Sequence, residues 1–404
     1  MKIKILLGVL TISAAISLIG AVTVFYVMVS QEKTAETVSI PETTVPSTLM
    51  QNTADSEGTD NAVTHEPEEG PEISITATGD INIGRQVGVN LERQKDRYIY
   101  AFEKVADIFK QGDVVFSNME EPITASTKSL YDLKQKGKIV LRAKPEAING
   151  IKYAGFNILS LANNHILDYY DTGLFNTIQI LKNNDISFAG AGRNLDEARS
   201  LAIIEKKGVK IGLLAYTDMA DIVYPGNPRI SFAAGTDKAG VAPNKLEYIT
   251  EDINKARSSV DILIVSLHWG VEYAENPRPE QIKAAHYILD HGADMIIGHH
   301  THKFQGVEIY NGKPIFYSLG NLLFDQNDPE CQQGYIMQMK YVKNRLTSLE
   351  GIPYKIVSKS QIVPQDKIGA SEISAREIRI CQTLGTECHV ENDKMVYEIG
   401  NANH

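Results

Sequence analysis

Five apolar runs in this chain stop abruptly at small clusters of Asp, Glu, Asn or His, and that repetition restricts the fold more than any other feature. Ile73 to Thr78 gives way to Gly79-Asp80-Ile81-Asn82, and Val114 to Ser117 gives way to Asn118-Met119-Glu120. Ile158 to Leu161 leads into Asn163-Asn164-His165, with Asp168 close behind. Ile262 to Leu267 leads into His268-Trp269-Gly270 and Glu272, and Met295-Ile296-Ile297 into Gly298-His299-His300-Thr301-His302. Short apolar runs bounded in this way read as buried strands. Helical patterns near Ala101–Lys110, Glu146–Ala154, Thr172–Lys182, Asn244–Ser258 and Pro279–His291 alternate with them. Further strands read at Ile186–Ala189, Leu201–Glu205, Val209–Ala215 and Val307–Tyr310. That alternation predicts an α/β fold, in which ligands bind at the carboxyl rim of the strands. The five polar clusters then converge on one site.

The chemistry of the clusters points to metal. Three histidines fall within residues 299–302, and neutral imidazole is the commonest protein ligand for a transition metal. Gly298 is read as permitting the tight bend that gathers them. Each residue alone has a plainer role. Asp80 suits a turn, Asn164 a left-handed position, Glu120 and Glu272 solvent, and His268 the core beside Trp269. Recurrence at five strand ends makes the collective reading the better one. Carboxylate, amide and imidazole donors with few thiols suit Mn, Fe or Zn, and two divalent ions need about this many donors.

The ordered motifs Gly79-Asp80, Asn118-Met119-Glu120, Asn163-Asn164-His165, His268-Trp269-Gly270-Val271-Glu272 and Gly298-His299-His300-Thr301-His302 resemble those of CapA-type capsule-synthesis proteins. Pro314 to Asp325, with Tyr317-Ser318-Leu319-Gly320-Asn321, is similar to that family's signature. The family is associated with poly-γ-glutamate synthesis and export and belongs to the calcineurin-like metallophosphatase superfamily. The resemblance spans about Ile73 to Pro353. It implies a four-layer α/β/β/α sandwich with a two-metal cleft. In it Asp80 would bind the first ion, His302 would close that ion's site, and Glu120 would bridge. Asn164, His268 and His300 would hold the second ion, and His165 would protonate a leaving group. Asn82, Asn118, Asp168, Glu272 and His299 are further candidates, as ligands or as groups behind them. Arg85 and Arg142 are candidates for holding a substrate carboxylate or phosphate. Three departures stand out: against phosphatases of the superfamily, Asn82 replaces a customary His and Glu120 an Asp, and within the CapA-type family Met119-Glu120-Glu121 stands where Leu-Glu-Gly is usual.

The remaining sequence predicts location. Ile5 to Val29 carries no charge, and as a helix it would run about 37 Å at ~1.5 Å per residue, enough to span a bilayer. Lys2 and Lys4 precede it, so residues 1–29 read as an uncleaved signal anchor with a cytoplasmic N-terminus and an extracellular body. Residues 30–71 read as a disordered acidic tether with a reach on the order of 40 Å. Charge is +2 before Ser30, −8 in the tether and −4 in the remainder of the −10 total, with no basic stripe for nucleic acid. Residues 72–358 form the expected CapA-like domain and 359–404 a C-terminal extension, with a helix capped by Ser374.

Cys331, Cys381 and Cys388 form no Cys-x-x-Cys pair, which argues against structural zinc. Cys381 and Cys388 leave two readings open, a disulfide pinning the C-terminal segment or two free thiols. Neither a nucleotide-binding loop nor a serine-hydrolase elbow is present. Two function classes follow. One is a metal-dependent hydrolase or transferase acting on a phosphoester or γ-glutamyl polymer. The other is a membrane-anchored accessory subunit that binds or exports an anionic polymer alongside other capsule-synthesis membrane proteins.

Overall fold

The strands that deliver the polar clusters are parallel neighbours within each of two facing sheets, three in one and two in the other, and their carboxyl ends meet at one rim. The computed structural model describes residues 70–134, 139–224 and 230–400. The run Ile5–Val29 and nearly all of the acidic tether lie outside the described residues. Among the described residues no helix is long and apolar enough to cross a membrane.

A ten-stranded mixed sheet contains β1 (Glu72–Ile81), β2 (Val114–Met119), β3 (Ile158–Ser160) and β4 (Ser187–Ala189). A six-stranded sheet holds β5 (Ala202–Lys206), β6 (Val209–Thr217), β7 (Ile262–His268), β8 (Met295–His299), β9 (Val307–Tyr310) and β10 (Lys313–Phe316), in the order β9-β10-β8-β7-β6-β5. The chain then returns to the first sheet with β11 (Asn321–Leu323), β12 (Gln333–Val342), β13 (Arg345–Val357), β14 (Gln361–Pro364), β15 (Cys388–Glu391) and β16 (Lys394–Tyr397). The first sheet's main order is β15-β16-β13-β12-β1-β2-β3-β4, with β11 beside β1 and β14 beside β13. Residues after 358 therefore extend the same sheet.

Three apolar clusters separate four layers. Ile73, Ile75, Phe116 and Ile158 meet Ile211, Ile264 and Ile297 between the sheets. Val115, Leu159 and Ile81 pack outward against Val87 of α1 (Arg85–Leu91), Ile151 of α2 (Ile148–Ala154) and Leu174 and Leu181 of α3 (Tyr170–Lys182). On the other side Leu263, Val265 and Ile296 pack against Ile249 and Ile253 of α4 (Leu246–Ala256) and Ile288 of α5 (Pro279–Asp290). This is a mixed α/β fold in which alternate residues of each buried strand serve two cores.

Three local expectations need correction. The helix expected at Ala101–Lys110 shrinks to Ala106–Phe109, because the Ala101 carbonyl accepts from Ile362 N at 3.0 Å instead of continuing a helical ladder. The C-terminal helix α6 (Lys367–Thr383) starts earlier than expected, with Asp366 as its cap, accepting from Gly369 N at 3.2 Å. Ser374 is buried inside that helix and accepts from the Tyr335 hydroxyl at 3.3 Å. Gly298 makes no bend. It lies in β8, where an added Cβ would stand 1.9 Å from Tyr317 O, so close backbone approach explains the glycine.

Candidate metal centre

Sheet register assembles the site. Asp80 at the end of β1 lies beside Asn118 of β2 on one side and Asn321 of β11 on the other. In the facing sheet His268 of β7 lies beside His299 of β8. The bend after β8 is made by histidines: His300 at φ 91 and His302 at φ 60 occupy left-handed backbone that non-glycine residues avoid. Such strain costs on the order of 1–3 kcal/mol per residue and persists where packing enforces it. Here it turns both imidazoles inward, and both are buried.

Two donor groups meet at Glu120. Candidate ligand atoms of Asp80, Glu120 and His302 all lie within 4.8 Å of one another. On the other side, His268 Nε2 is 2.9 Å from Asn164 Oδ1 and 3.1 Å from His300 Nδ1. His268 Nε2 is also 3.8 Å from Glu120 Oε1. Glu120 is fully buried, and neither of its carboxylate oxygens has a hydrogen-bond donor. Burial first, then the nearby Asp80 and Glu272 carboxylates, push its carboxyl well above its ordinary range. Burial and the neighbouring imidazoles hold His268 well below its ordinary value, and burial with His302 pushes His300 down to about 3. For Asp80, burial raises the carboxyl, but His299, His302 and Asn118 outweigh it and leave it below its usual range. An unpartnered buried carboxyl costs several kcal/mol in such a place. Neutral imidazoles, an amide oxygen and carboxylates aimed at one space are the donor set of a divalent cation. The residues fit a metal.

The groups behind these donors are tightly tied. Asn118 Nδ2 donates to Asp80 Oδ1 at 2.9 Å and stands 3.3 Å from His268 Nδ1. His299 Nδ1 lies 2.9 Å from the same Asp80 oxygen, fully buried. Asn163 donates to Met119 O at 2.8 Å and accepts from His165 N at 3.1 Å, fixing the turn that carries Asn164 and His165.

His165 forms a dyad. Its Nδ1 is 2.7 Å from Asp168 Oδ2, which also accepts from Leu141 N at 2.7 Å. The other Asp168 oxygen pairs with buried Lys134. Burial, offset in part by Asp168, holds the imidazole below its ordinary value. With Nδ1–H directed at Asp168, Nε2 is the nitrogen left for substrate.

Other expected residues stand differently. Asn82 is buried, accepts from Gly84 N at 3.0 Å, and leaves its Nδ2 without a partner. Glu272 is exposed. Arg85 is exposed and pairs with Asp325 at 3.2 Å. Arg142 donates to Ser126 O at 2.6 Å and lies over the Tyr169 ring.

Three contributors went unassigned in the sequence reading. Asn321 Oδ1 is 2.9 Å from His302 Nδ1, while its own amide donates to Gln326 Oε1 at 2.7 Å and Cys331 O at 3.0 Å. An amide oxygen only accepts, so Asn321 places the proton on His302 Nδ1 and leaves Nε2 bare. Its signal was present in the Tyr317-Ser318-Leu319-Gly320-Asn321 stretch, which resembles the family's signature. Glu121 accepts from Ile83 N and Gly84 N and anchors the loop after β1. Lys134 lies in a polar stretch with no periodicity to mark it.

Residues 74–326 match the family described as "Bacterial capsule synthesis protein PGA_cap". The capsule biosynthesis protein CapA of Bacillus anthracis is 33% identical over 71% of this chain and 68% of its own length. The PGA biosynthesis protein CapA of Bacillus subtilis (strain 168) is 34% identical over 70% of this chain and 72% of its own length. A solved 5'-nucleotidase from Candida albicans SC5314 aligns over 72% of this chain and 55% of its own at TM-score 0.39 and 11% identity.

Proposed function

The chain belongs to the bacterial capsule synthesis protein family PGA_cap, and from that premise we propose a membrane-anchored capsule-synthesis factor that acts on an anionic polymer or phosphoester through a dinuclear metal site. The observation that carries the metal reading is Glu120, buried, unpartnered and shared by two donor groups. Asp80, Glu120 and His302 would hold one ion, and Glu120, Asn164, His268 and His300 the other. Bound Mn, Fe or Zn ions supply Lewis acidity for hydrolysis or transfer at a phosphoester or γ-glutamyl bond. His165 takes or gives a proton at Nε2 while Asp168 holds Nδ1–H and offsets the charge of the imidazolium. His165→Asn is expected to leave metal content nearly intact and to lower turnover roughly 10²–10⁴-fold, whereas Asn164→Ala lowers both. Model phosphoesters and poly-γ-glutamate serve as substrates with the purified, Mn-loaded chain. Unchanged hydrolysis and unchanged polymer output in His165→Asn would remove the catalytic reading.

A second reading has its own support in Asn82, an amide where an imidazole is customary, with its Nδ2 unpartnered. In that case the metal serves binding, and the protein is an accessory subunit that guides the anionic polymer among other synthesis proteins. Both readings place the body outside the cell, supported by the charge-free run Ile5–Val29 behind Lys2 and Lys4. Protease added to intact cells should release the folded domain by cutting within residues 30–71. Protection of that domain in an envelope permeable to the protease rejects this placement.

A further inference from the structure

A second polar cluster lies away from the metal rim, where helix α6 meets the hairpin β15–β16. Cys381 is fully buried near the end of α6, and Cys388 is the first residue of β15 and half-buried. Both are thiols in this structure. Cys381 is part of the core between the sheets and Cys388 packs against that same cluster, while the Cys381 thiol donates to Glu377 Oε1 at 2.8 Å. Val307 N donates to the same sulfur at 3.3 Å. The turn between the cysteines is tight: Thr386 N donates to Cys381 O at 2.9 Å, and Gly385 supplies a left-handed residue at φ 76. Buried Glu377 also accepts from the Tyr397 hydroxyl at 3.2 Å.

We propose that Cys381 and Cys388 form a redox pair that closes to a disulfide, with Cys388 as the entry point for the oxidant and Glu377 as the proton acceptor for the buried thiol. The oxidant is a disulfide, either a thiol–disulfide oxidoreductase or a small oxidised thiol. Cys388 Sγ loses its proton to solvent and attacks the oxidant's disulfide, forming a mixed disulfide and releasing one thiolate. Cys381 Sγ then passes its proton to Glu377 Oε1 and attacks Cys388 Sγ. The internal S–S bond forms as the mixed disulfide breaks, and the second thiolate leaves. Two electrons pass to the oxidant, and two protons reach solvent, one of them through Glu377.

Three features support this order. Cys388 is the more accessible sulfur, and attack depends on access as well as on thiolate character. Burial holds the Cys381 thiol well above its ordinary range, so it reacts only as its proton leaves, and the backbone N–H of Val307 offsets part of that by favouring negative charge on the sulfur. Burial pushes the Glu377 carboxyl up to about 7, close to where it can take up a proton at neutral pH. The product also has a structural use. The hairpin meets β13 at only two registered pairs, Glu350 with Val396 and Gly351 with Met395, and β15 is the outermost strand of its sheet. A bridge from β15 to α6 would pin that edge. The closed state in cells rests on the extracellular placement proposed above, whereas the competence of the pair does not.

The test treats the purified full chain with oxidised glutathione, alkylates it under denaturing conditions and maps its peptides. The expected result is a linked Cys381–Cys388 peptide with Cys331 alkylated. Glutathione retained on Cys388, or three alkylated cysteines, overturns the pair. Reductant should lower Tm of the oxidised wild type by about 2–5 °C and leave Cys388→Ser unmoved. Glu377→Gln should slow closure of the mixed disulfide about tenfold or more while glutathione adds to Cys388 at the wild-type rate. Equal closure rates remove Glu377 from the scheme. Alkylation at lysis of intact cells reads placement separately. A chain that closes in vitro yet leaves cells with both thiols free overturns the extracellular placement and not the pair.

Discussion

Glu120 and Glu121 are consecutive residues at the end of one strand, both fully buried, and their carboxylates have opposite surroundings. Extended backbone sends neighbouring side chains to opposite faces. Glu121 faces the loop after β1, where Gly84 N lies 3.0 Å and 3.1 Å from its two oxygens and Ile83 N donates as well. Gly84 fits there because a Cβ would stand 2.2 Å from Arg142 O and 2.5 Å from Glu121 Oε2. Glu120 faces the cleft, where no donor meets it. Both carboxyls are raised chiefly by burial, Glu121 to about 8 and Glu120 well above its ordinary range. A buried carboxyl satisfied by backbone is part of the scaffold. One left unsatisfied beside three imidazoles has the surroundings a divalent cation would complete.

The sharpest way to break this contrast is to neutralise each residue in turn. Glu120→Gln should lose most bound metal, because the ligand common to both donor groups is gone. Glu121→Gln should keep its metal and instead lower unfolding free energy by about 1–3 kcal/mol, since the amide oxygen can keep the two N–H groups met by Oε1 but the NH₂ then faces the Gly84 N–H that Oε2 accepts. Metal analysis and urea unfolding of the chelated proteins measure both quantities. Equal metal loss in the two variants would erase the distinction.

Asn321 extends the comparison one layer back. It touches no candidate ion position, and its role is to fix the His302 tautomer. Asn321→Ala should weaken one of two bound ions by roughly 10–100-fold while leaving the other in place, the usual effect of removing a group that orients a ligand. Titration of the chelated chain with Mn or Zn, followed by calorimetry, separates the two affinities. Equal weakening of both ions would show that Asn321 acts on the whole rim.

The part of this site that was legible in sequence is the part carried by strands. Asp80, Glu120, Asn164, His268 and His300 each follow an apolar run, and parallel strands within one sheet end together, which groups the first three on one sheet and the two histidines on the facing one. What stayed hidden depended on packing between distant segments. Lys134 reaches Asp168 from a loop without periodicity, and Glu121 became structural only because a backbone turn at Ile83–Gly84 lies against it. The bend after β8 was placed on Gly298, whereas the left-handed residues are His300 and His302. Local propensity predicts the glycine, and tertiary enforcement overrides it at a strained site. The outer helices were legible where an amphipathic face exists, as at Tyr170–Lys182, and were lost where a carbonyl joins a strand, as at Ala101.

The smallest expected effect is a near absence of change, and it follows from the opposed shifts on the two kinds of group. In the metal-free chain Glu120, Glu121, Glu377 and Asp218 have raised carboxyls, with burial as the leading cause in each. His165, His268 and His300 are lowered, again chiefly by burial. A raised carboxyl contributes stability in full below its unfolded value, near 4.5 for Glu, and loses it as pH climbs toward the folded value, about 8 for Glu121 and about 7 for Glu377. A lowered imidazole contributes in full above 6.5 and loses stability as pH falls toward the folded value, about 3 for His300. Each proton bound differently changes unfolding free energy by about 1.4 kcal/mol per pH unit. Between the ordinary Glu and His values the native chain holds extra protons on carboxyls and lacks protons on imidazoles, so the slopes largely offset. Stability of chelated protein should therefore be nearly flat from about pH 4.5 to 6.5, falling on the alkaline side to about 8 and on the acid side toward 3. Metal binding requires Glu120 ionised and the imidazoles neutral, so added Mn should stabilise progressively more as pH rises. Urea midpoints of chelated and Mn-loaded chain across pH 4–9 test both statements. A stabilisation by metal that does not grow with pH would mean that Glu120 is already ionised without it, and that the contrast with Glu121 lies in hydrogen bonding alone.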